Sequence, residues 1–439
     1  MLGARQAVAY AATRARSVGR GRRHRDALTE EFLVTTAAHA ASELGQMKGV
    51  VMKVGQLLSV IGEGLPDEAQ AALATLQSDA PPLPAGAAEA LIEHEFGRRV
   101  WRRFDRFDAA PIAAASIGQV HRARLVDGRE VAVKVQYPGL AEAMQSDLDN
   151  AERLYQLLSM FALKGLDARA LTDELRRRML DELDYRSEAA NQRAFAERFR
   201  AHPFIRIPTV VDELSTSRVL VTEWAEGMTW SDFESSATAD QRQAAAEVVF
   251  RFGQACIYRH RSFNGDPHPG NYRFHADGTV TFLDFGLVKT FTDGEVASLW
   301  PLIDPLLAGD EVGTAALMVQ AGFLPADHGL DPRQVYAYVS APYRPYLSDE
   351  FTFTRAYVAE TLRTILDVKG PHAAVVAQLN MPASFVILDR VIWGMSALLG
   401  RLEAHDRWRA ILDEYRIGAD PATERGEVEA DWARRRGMA

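Results

Sequence analysis

The sequence predicts an α+β protein of two lobes, a small strand-rich lobe followed by a larger and mostly helical one. Runs rich in valine and other strand formers cluster between about residues 101 and 137. Apolar residues recur at helical intervals from about residue 240 onward. A polar, proline-containing loop with short strand-like runs interrupts these helices between residues 266 and 285. The order of elements therefore favours a sheet in the first lobe and a helical second lobe that holds a polar loop.

Length and composition restrict the class of protein. With 439 residues the chain is long enough for two or three domains, and 47% hydrophobic with 25% charged residues is typical of a globular protein. A single cysteine, Cys256, excludes an intramolecular disulfide. The formal net charge of −9 disfavours broad nucleic-acid binding, so we expect no nucleic-acid partner. No particular oligomer is predicted.

Composition shifts and proline clusters divide the chain into four segments. The first 25 residues contain seven arginines and no acidic residue. We expect this arm to be solvated, to touch an anionic membrane surface, or to be an organelle-targeting segment, which is typically rich in arginine and poor in acids. The predicted segments are a basic arm over 1–25, a helical extension over 26–84, a small lobe with inserted helices over 85–225 and a helical lobe over 226–439.

The small lobe is predicted in more detail from periodicity and turn residues. Its predicted elements are a helix over about 85–96, strands over about 101–137, helices over about 140–200, and two strands containing Val210–Val211 and Val219–Val221 around a turn at Ser215–Ser217.

No apolar run is long enough for a transmembrane helix, which needs about 18 residues or more. The best window, Phe385–Leu399, is interrupted by Asp389 and Arg390. We therefore expect a cytoplasmic protein whose membrane contact is peripheral, at the inner face of the membrane.

The segment Asp266-Pro-His-Pro-Gly-Asn271 is the strongest chemical signal. A carboxylate and an amide five positions apart suit phosphoryl transfer, in which one group orients the attacking atom and the other holds Mg²⁺. The two prolines restrict the backbone between them. Alone, the segment also fits an ordinary Pro/Gly turn.

A second motif, Asp284-Phe-Gly286, follows the strand-like run Val280–Phe282. An aspartate at a strand end can bind Mg²⁺ that bridges nucleotide phosphates, and the glycine lets the backbone turn. Asp-Phe-Gly is a weak signal by itself, but shortly after Asp266 and Asn271 it predicts a second metal-binding loop.

The run Val131-Ala-Val-Lys134-Val135 predicts a strand with one valine face and a second face that presents Lys134. A small alanine beside the lysine leaves room for a flat base, and the lysine can reach phosphates. Further along, Glu223 ends a strand-like run and is predicted to mark a hinge that contacts adenine. The alternatives are an edge lysine facing water and a plain strand followed by a loop.

Two features depart from ordinary protein kinases. In place of a glycine-rich loop stands Ala113-Ala-Ala-Ser-Ile-Gly-Gln-Val120, where alanine forbids most of the backbone freedom of glycine. We expect a stiffer loop that wraps phosphates differently. The alternative is a helical or strand segment rich in small residues. On an N-terminal helix, Lys53 and Gln56 share a face, and Asp184, Glu188 and Asn191 are predicted to share another. Both faces also fit simple exposure to solvent.

Together these motifs resemble those of the UbiB/AarF atypical kinase-like family, relatives of the protein kinases. The resemblance covers about residues 45–290 and implies a protein-kinase-like bilobal α+β fold with an N-terminal helical extension and a mostly helical C-lobe. The matching motifs are Lys53-x-Gly55-Gln56, Ala113–Val120, Val131–Gln136, Glu182-x-Asp184, Asp266–Asn271 and Asp284–Gly286.

The resemblance implies a role for individual residues. Lys134 would contact phosphates and pair with Glu188, while Lys53 of the extension would pair with Glu182 and cover the active site. Gln56 belongs to the same motif as Lys53, and Asp184 belongs to the same motif as Glu182. The segment expected to hold the nucleotide, besides Lys134 and Glu223, consists of Ala114, Ala115, Ser116, Ile117, Gly118 and Gln119.

By the same resemblance, Asp266 would be the catalytic base, and Asn271 and Asp284 would bind Mg²⁺, so ATP and Mg²⁺ are the expected cofactors. Members of the family resemble ATPases linked to quinone or isoprenoid-lipid metabolism, often at membranes. In this sequence Asn264 stands where the family usually has a histidine, and we expect a looser orientation of Asp266.

Two other functions stay open. The Gly-Asp-x-His-Pro-Gly-Asn pattern that contains Asp266 also fits small-molecule kinases of the aminoglycoside or choline type, which lack the Lys53 helix and the alanine-rich segment. Alternatively, the nucleotide would switch the extension between two positions without turnover, as in a nucleotide-gated scaffold.

Overall fold

The computed structural model describes residues 86–115, 117–140, 183–366, 370–380 and 383–438. These residues form two compact units. One contains the described residues up to Ala123 together with residues 133–140 and 183–184, and the other contains Arg124–Ala132 and the described residues from Tyr185 onward. The predictions for the basic arm, for Lys53, Gln56, Ser116 and Glu182, and for most of the 140–200 helices lie outside the described residues.

The first unit begins with helix α1, Ala87–Phe96, close to the predicted 85–96. Glycines with positive φ bound the helix at both ends, Gly86 at 80° and Gly97 at 73°. A left-handed backbone at these positions suits glycine because it has no Cβ. The buried face of the helix consists of Ala88, Leu91 and Ile92.

Four strands follow, which confirms the predicted strand-rich region. They are β1 (Phe104–Phe107), β2 (Ala113–Ala115), β3 (Gly118–Leu125) and β4 (Glu130–Gln136). β2 is antiparallel to β3, with Ala114 opposite Gln119. Along β4, Val131, Val133 and Val135 are fully buried while Lys134 is half-buried. This alternation is the one that period-two patterning predicts for a strand with one apolar face.

The second unit contains three more small sheets and strand β6. Its strands are β5 (Ile205–Arg206), β6 (Val219–Glu223), β7 (Ser262–Asn264), β8 (Tyr272–Phe274), β9 (Val280–Phe282), β10 (Val288–Thr290), β11 (Phe351–Thr352) and β12 (His405–Asp406). β9 is parallel to β5 and antiparallel to β8, and β7 is antiparallel to β10, as β11 is to β12. β8 and β9 are the two strands that the sequence predicts within 266–285. The pair β7–β10 that brackets them is not predicted.

One predicted strand is wrong. Val219–Val221 lies in β6, but the predicted strand through Val210 is reduced to a single bridge between Val210 and Thr222, followed by a short 3-10 turn. The hydroxyl of Ser215 accepts a hydrogen bond from the Val221 N–H at 3.1 Å and donates one to the Val211 carbonyl at 2.9 Å. A side chain that satisfies backbone groups in this way competes with the strand ladder.

Helices make up most of the second unit, as the sequence predicts. They are α2 (Tyr185–Arg198), α3 (Trp230–Ser236), α4 (Ala239–Gln254), α5 (Asp293–Leu299), α6 (Ile303–Ala308), α7 (Glu311–Gln320), α8 (Pro332–Val339), α9 (Arg355–Leu366), α10 (Ala373–Val376), α11 (Ala383–Leu402), α12 (Trp408–Arg416) and α13 (Glu424–Arg435). α4 begins with a capping box of Thr238 and Gln241 and is buried from Ala244 to Gln254. Its Phe252 stacks on Phe282 of β9 with ring centroids 3.8 Å apart.

A buried ionic cluster joins α4 to the C-terminal helices α12 and α13. Arg251 of α4 has no exposed side-chain surface and pairs with Glu247 at 2.8 Å, Glu414 at 2.7 Å and Glu429 at 3.5 Å. Burial works to raise the pKa of Glu429, but the hydrogen bond and charge of His202 and the charge of Arg251 outweigh it, so the pKa falls to about 2. Because burial lowers the pKa of His202, the cations that pair with Glu429 at neutral pH are Arg251 and Arg259, the latter at 3.0 Å.

No helix within the described ranges combines the length and the apolar character that crossing a membrane requires.

Replacing the buried guanidinium should be costly. We expect Arg251→Met to lower the free energy of unfolding by roughly 3–5 kcal/mol, because the buried Glu247 and Glu429 and the partly buried Glu414 lose the buried cation that they share. Urea unfolding of the full chain measures this. Arg434→Met, which removes an exposed arginine that pairs with Asp431 in α13, is the control and should cost less than about 1 kcal/mol. Equal losses in the two variants would contradict a stabilising role of the buried cluster.

Candidate functional site

The predicted catalytic loop follows β7 and is held by its own polar groups. The Asn271 Nδ2 donates to the Asp266 backbone carbonyl at 3.1 Å and to its Oδ2 at 3.2 Å. The backbone N–H of Asn271 donates to the His268 carbonyl at 2.9 Å. Because the Asn271 amide nitrogen is engaged by Asp266, its Oδ1 is the candidate metal ligand of this side chain.

Asn264, at the end of β7, connects this loop to the second motif. Its Oδ1 accepts the backbone N–H of Asp266 at 2.9 Å, and its Nδ2 donates to the backbone carbonyl of Asp284 at 2.6 Å. One amide therefore binds both predicted metal loops. The expectation that an asparagine at this position orients Asp266 loosely is not met, because the amide supplies both an acceptor and a donor in fixed geometry.

Asp284 adopts an unusual backbone conformation. Its φ is 59°, a left-handed value that residues with a Cβ seldom adopt. The Gly286 N–H donates to the Asp284 Oδ1 at 3.0 Å, and the Leu283 N–H donates to the Asn271 carbonyl at 2.8 Å. The first bond fixes one oxygen of the Asp284 carboxylate over its own turn, and the second ties the backbone before Asp284 to that of Asn271. Such strained positions concentrate at functional sites.

Helix α2 packs against the Asp284 segment. The Asn191 Nδ2 donates to the Phe285 carbonyl at 3.0 Å, and the rings of Phe195 and Phe285 lie 4.8 Å apart. Glu188, one turn earlier, is buried. A Cβ added at Gly286 would lie 3.7 Å from the Glu188 Oε2, so this carboxylate approaches the turn of the second motif. Glu188 and Asn191 therefore meet the predicted metal loop.

One residue of the predicted helical face lies elsewhere. Asp184 precedes α2, which begins at Tyr185, so it does not share a helical face with Glu188 and Asn191. The N–H of Tyr185, the first residue of α2, donates to the Ser217 carbonyl at 3.0 Å. This bond to a residue outside the helix is consistent with a helix that begins at Tyr185 rather than before Asp184.

Glu223 ends β6, where the hinge is predicted. Its Oε2 accepts the Thr209 backbone N–H at 3.0 Å, and its own N–H donates to the Thr209 carbonyl at 2.9 Å. The Trp224 N–H donates to the Glu130 carbonyl at 2.9 Å. The carboxylate therefore anchors the strand end, and contact with adenine at this position would be made by backbone groups.

In the first unit, the alanine-rich segment is a hairpin rather than a loop. Ala114 and Ala115 lie in β2, opposite Gln119 and Gly118 of β3. Ile117 and Gln119 are buried, and the Gln119 Nε2 lies 2.8 Å from the His121 Nε2. The side chain of Gln119 is thus used within the sheet, and Ala114 is exposed. The pairing of β2 with β3 is compatible with a stiff segment, and its stiffness stays a prediction.

Magnesium fits the oxygen donors of the two loops. The described residues contain no cluster of three or more histidine, cysteine, aspartate or glutamate side chains suited to a metal ion. Asp284 and Asn271 offer two hard oxygen donors, and Mg²⁺ at nucleotide sites takes its remaining ligands from phosphates and water. The neighbouring Tyr272 is buried, which, with the nearby Asp266 charge, raises its pKa and keeps the phenol neutral.

A glycine in the C-terminal region sets the position of the catalytic loop. A Cβ added at Gly394 of α11 would lie 3.0 Å from the Cβ of Pro267 and closer still to its Cγ. Pro267 directly follows Asp266. Any side chain at position 394 would therefore push the loop away from α11.

Three residues with structural roles here were not predicted as site residues: Asn264, Asn191 and Gly394. Asn264 carries a weak signal in the sequence. A polar residue at a strand end, two positions before a catalytic aspartate, can bond to that aspartate and to a neighbouring loop. Gly394 carries a clearer one, since an isolated glycine within a helix often marks a close approach of another segment. Lys134 is placed on β4 as predicted, and its pairing with Glu188 stays a prediction.

Comparison with known proteins identifies the type of domain. A family model described as "ABC1 atypical kinase-like domain" matches residues 75–318. The protein ACTIVITY OF BC1 COMPLEX KINASE 8, chloroplastic, of Arabidopsis thaliana is 34% identical over 281 residues, 62% of this chain and 37% of that protein. Atypical kinase COQ8B, mitochondrial, of Rattus norvegicus is 34% identical over 260 residues, 58% and 48% of the two chains. The chain spans less than half the length of both relatives.

A solved structure is also similar. It is the complex of Rv3197 with erythromycin from Mycobacterium tuberculosis, which is 34% identical and has a TM-score of 0.66 over 89% of this chain and 98% of that one. These matches confirm the kinase-like fold and the UbiB/AarF resemblance inferred from the motifs. Gly394 and the helices around it lie beyond the part of the chain that the family model matches.

Loss of the Asn264 amide should loosen the catalytic loop. We expect Asn264→Ala to speed hydrogen exchange of the Asp266 amide by up to about tenfold, because one hydrogen bond is worth roughly 1 kcal/mol. The Gly265 amide, which donates to the Leu287 carbonyl, is the internal control and should be unaffected. Asn264→Asp keeps an acceptor for Asp266 and should retain protection there. Unchanged exchange in Asn264→Ala would contradict this role.

A methyl group at position 394 should destabilise the protein. Helix propensity alone predicts a gain of about 1 kcal/mol for glycine to alanine. We expect Gly394→Ala instead to lower the unfolding free energy by roughly 1–3 kcal/mol, because Pro267 must move. Gly294→Ala in α5 is the control, since the nearest atom to its Cβ would be 4.0 Å away. Urea unfolding measures both, and a stabilised Gly394→Ala would show that the contact is not tight.

Proposed function

The chain belongs to the ABC1 atypical kinase-like family, and on that premise we propose that it binds ATP with Mg²⁺ and transfers or hydrolyses the γ-phosphate. The single observation that supports this most strongly is the Asn264 amide, which bonds to both Asp266 and Asp284. The residue proposed to orient the attacking atom, Asp266, and the residue proposed to bind the metal ion, Asp284, are therefore held next to one amide. Phosphoryl transfer needs this arrangement, because positioning and charge neutralisation supply most of its catalysis.

Each polar group of the two loops receives a role in this proposal. The Asp266 carboxylate accepts the proton of the attacking water or hydroxyl, whose oxygen forms the new bond to phosphorus as the bond to ADP breaks. The Asn271 Oδ1 and the Asp284 carboxylate hold Mg²⁺, which neutralises charge on the phosphates when it is bound. The bond from the Gly286 N–H keeps the Asp284 carboxylate in place.

The residues proposed to hold the nucleotide come from the strands. Lys134 contacts phosphates and pairs with Glu188, and the hairpin from Ala114 to Gln119 lies over the phosphates. Thr209 engages both the carboxylate and the backbone N–H of Glu223, so the Glu223 carbonyl is the group proposed to contact adenine. Lys53 and Gln56 of the extension, with Glu182 and Asp184, regulate access to the site.

We propose further that turnover serves quinone or isoprenoid-lipid metabolism, with ATP as the soluble partner and a lipid as acceptor or regulator. The family resemblance and the atypical kinases named COQ8 among the relatives support this. The basic arm is proposed to supply peripheral membrane contact at the inner face of a membrane, because seven arginines without an acid attract anionic lipid.

Mg²⁺-dependent ATP turnover, with and without anionic-lipid vesicles, tests the proposal. We expect turnover in the wild type, stimulated by vesicles, and a loss of at least about 100-fold in Asp266→Asn and in Asp284→Asn. Asp293→Asn, at the start of α5 with a fully exposed side chain, is the control and should keep full turnover.

Two outcomes would replace the proposal. Tight binding of ATP without turnover under either condition would favour the nucleotide-gated scaffold. Stoichiometric phosphorylation of a soluble amino alcohol or aminoglycoside would favour the small-molecule kinase. Turnover that is equal in the wild type and in Asp284→Asn would contradict the metal-binding role of that carboxylate.

A further inference from the structure

The helices of the second unit enclose a cavity that the proposed phosphoryl-transfer site does not use. Its volume is about 140 Å³, close to that of engineered cavities of about 150 Å³ that bind benzene. α11 contributes Leu388, Asp389 and Ile392 to the lining, and α7 contributes Thr314 and Met318. The lining is mostly apolar, so a ligand of this cavity would be a ring-sized apolar group.

One carboxyl group interrupts this lining. Protein surrounds the Asp389 carboxyl group on nearly all sides, while the residue keeps a partly accessible surface, as expected where a residue lines a cavity. Its Oδ1 accepts the Trp393 Nε1–H at 3.2 Å. Among the residues whose side chains are described, no lysine, arginine or histidine pairs with it. Burial raises the pKa of Asp389 to about 7, since within the described part of the chain no cation compensates for burying the carboxylate form.

The walls around this carboxyl group are aromatic. Tyr258, Trp300, Tyr338 and Tyr343 line the same cavity. Asp389 is close enough to Tyr338 and Tyr343 for its charge to add to the burial that raises the pKa values of both phenols. Neutral aromatic rings attract cations through their faces, because the ring quadrupole places negative charge there.

A second polar group is available in the cavity. The Thr314 hydroxyl is buried and has no hydrogen-bond partner in the part of the chain that the structure describes. Buried hydroxyls are normally hydrogen-bonded, because leaving one unpaired costs free energy. The cavity therefore offers a carboxyl group with no cationic partner and a hydroxyl with no hydrogen-bond partner among the described residues, together with aromatic faces in an apolar volume.

We propose that this cavity is a binding site for a small lipophilic amine, whose ring fills the apolar volume and whose ammonium group pairs with the Asp389 carboxylate. The ammonium supplies the charge that the described surroundings of Asp389 lack. The aromatic walls stabilise the same positive charge, and the Thr314 hydroxyl accepts a further N–H. A neutral ring of equal size gains the apolar contacts alone.

Three probes that share one ring test the charge preference. Benzylamine, benzyl alcohol and toluene are titrated into the full-length protein at pH 7.5, and binding is measured by calorimetry. We expect benzylamine to bind about tenfold more tightly than either neutral probe, as an ion pair and cation–π contacts add to the same apolar burial. Neutral probes that bind as tightly as benzylamine, or no binding of any probe, would overturn the proposal.

Two variants assign the preference to one carboxyl group. Asp389→Asn should remove the preference for benzylamine and leave toluene binding unchanged. Glu311→Gln removes an exposed acid from α7, the helix that carries Thr314, and should keep the preference. A preference that survives in Asp389→Asn would show that general attraction to an acidic protein is responsible.

A structural measurement keeps the proposal testable if Asp389→Asn does not fold. Crystals of the wild type soaked with 4-bromobenzylamine should show the anomalous signal of bromine inside this cavity, with the amine nitrogen within hydrogen-bond distance of the Asp389 carboxylate. Bromine found elsewhere on the protein, with the cavity empty, would overturn the assignment.

Discussion

The double hydrogen bond of the Asn264 side chain is the contact on which the geometry of the candidate site depends. The amide accepts from the backbone of Asp266 and donates to the backbone of Asp284, 20 residues apart in the chain. Both bonds go to backbone atoms, so the Asn264 side chain does not itself occupy the carboxylates of Asp266 and Asp284. β7 and β10 pair directly beside this contact, and the Gly265 N–H adds a bond to the Leu287 carbonyl. The two loops therefore form one hydrogen-bonded body rather than two independent turns.

The C-terminal helices supply the support for this body. α11 approaches the catalytic loop at Gly394 so closely that no side chain fits between them. α12 and α13 are joined to α4 through the carboxylates around Arg251, and a buried cation with three acidic partners is costly to separate. These contacts lie largely beyond the part of the chain that matches the family model. The part of the chain that matches the family model and most of the helices that support it therefore lie in different parts of the sequence.

One helix takes part in both the candidate site and the apolar cavity. α11 presents Asp389 to the cavity and Gly394 to Pro267, little more than one turn further along. The cavity is chemically distinct from the loops, since it combines aromatic walls with a single carboxyl group, whereas the loops combine carboxylates with amides. A single chain can in this way offer one polar site suited to phosphates and one apolar site suited to a ring.

The sequence by itself determined the local features of this protein. Period-two valines set the buried face of β4 and left Lys134 on the other face, and the strand-like run before Asp284 formed β9 as predicted. The spacing of Asp266, Asn271 and Asp284 was sufficient to infer a kinase-like domain, because these residues lie in short segments whose conformation depends on near neighbours. Only the tertiary structure showed that Asn264 joins two loops, that Gly394 admits Pro267, and that Asp389 lines a cavity. Each of these depends on contacts between distant segments, for which a single sequence carries no periodic signal.

The strand predicted at Val210 failed for a related reason, since the Ser215 hydroxyl took the backbone bonds that a strand ladder would have made.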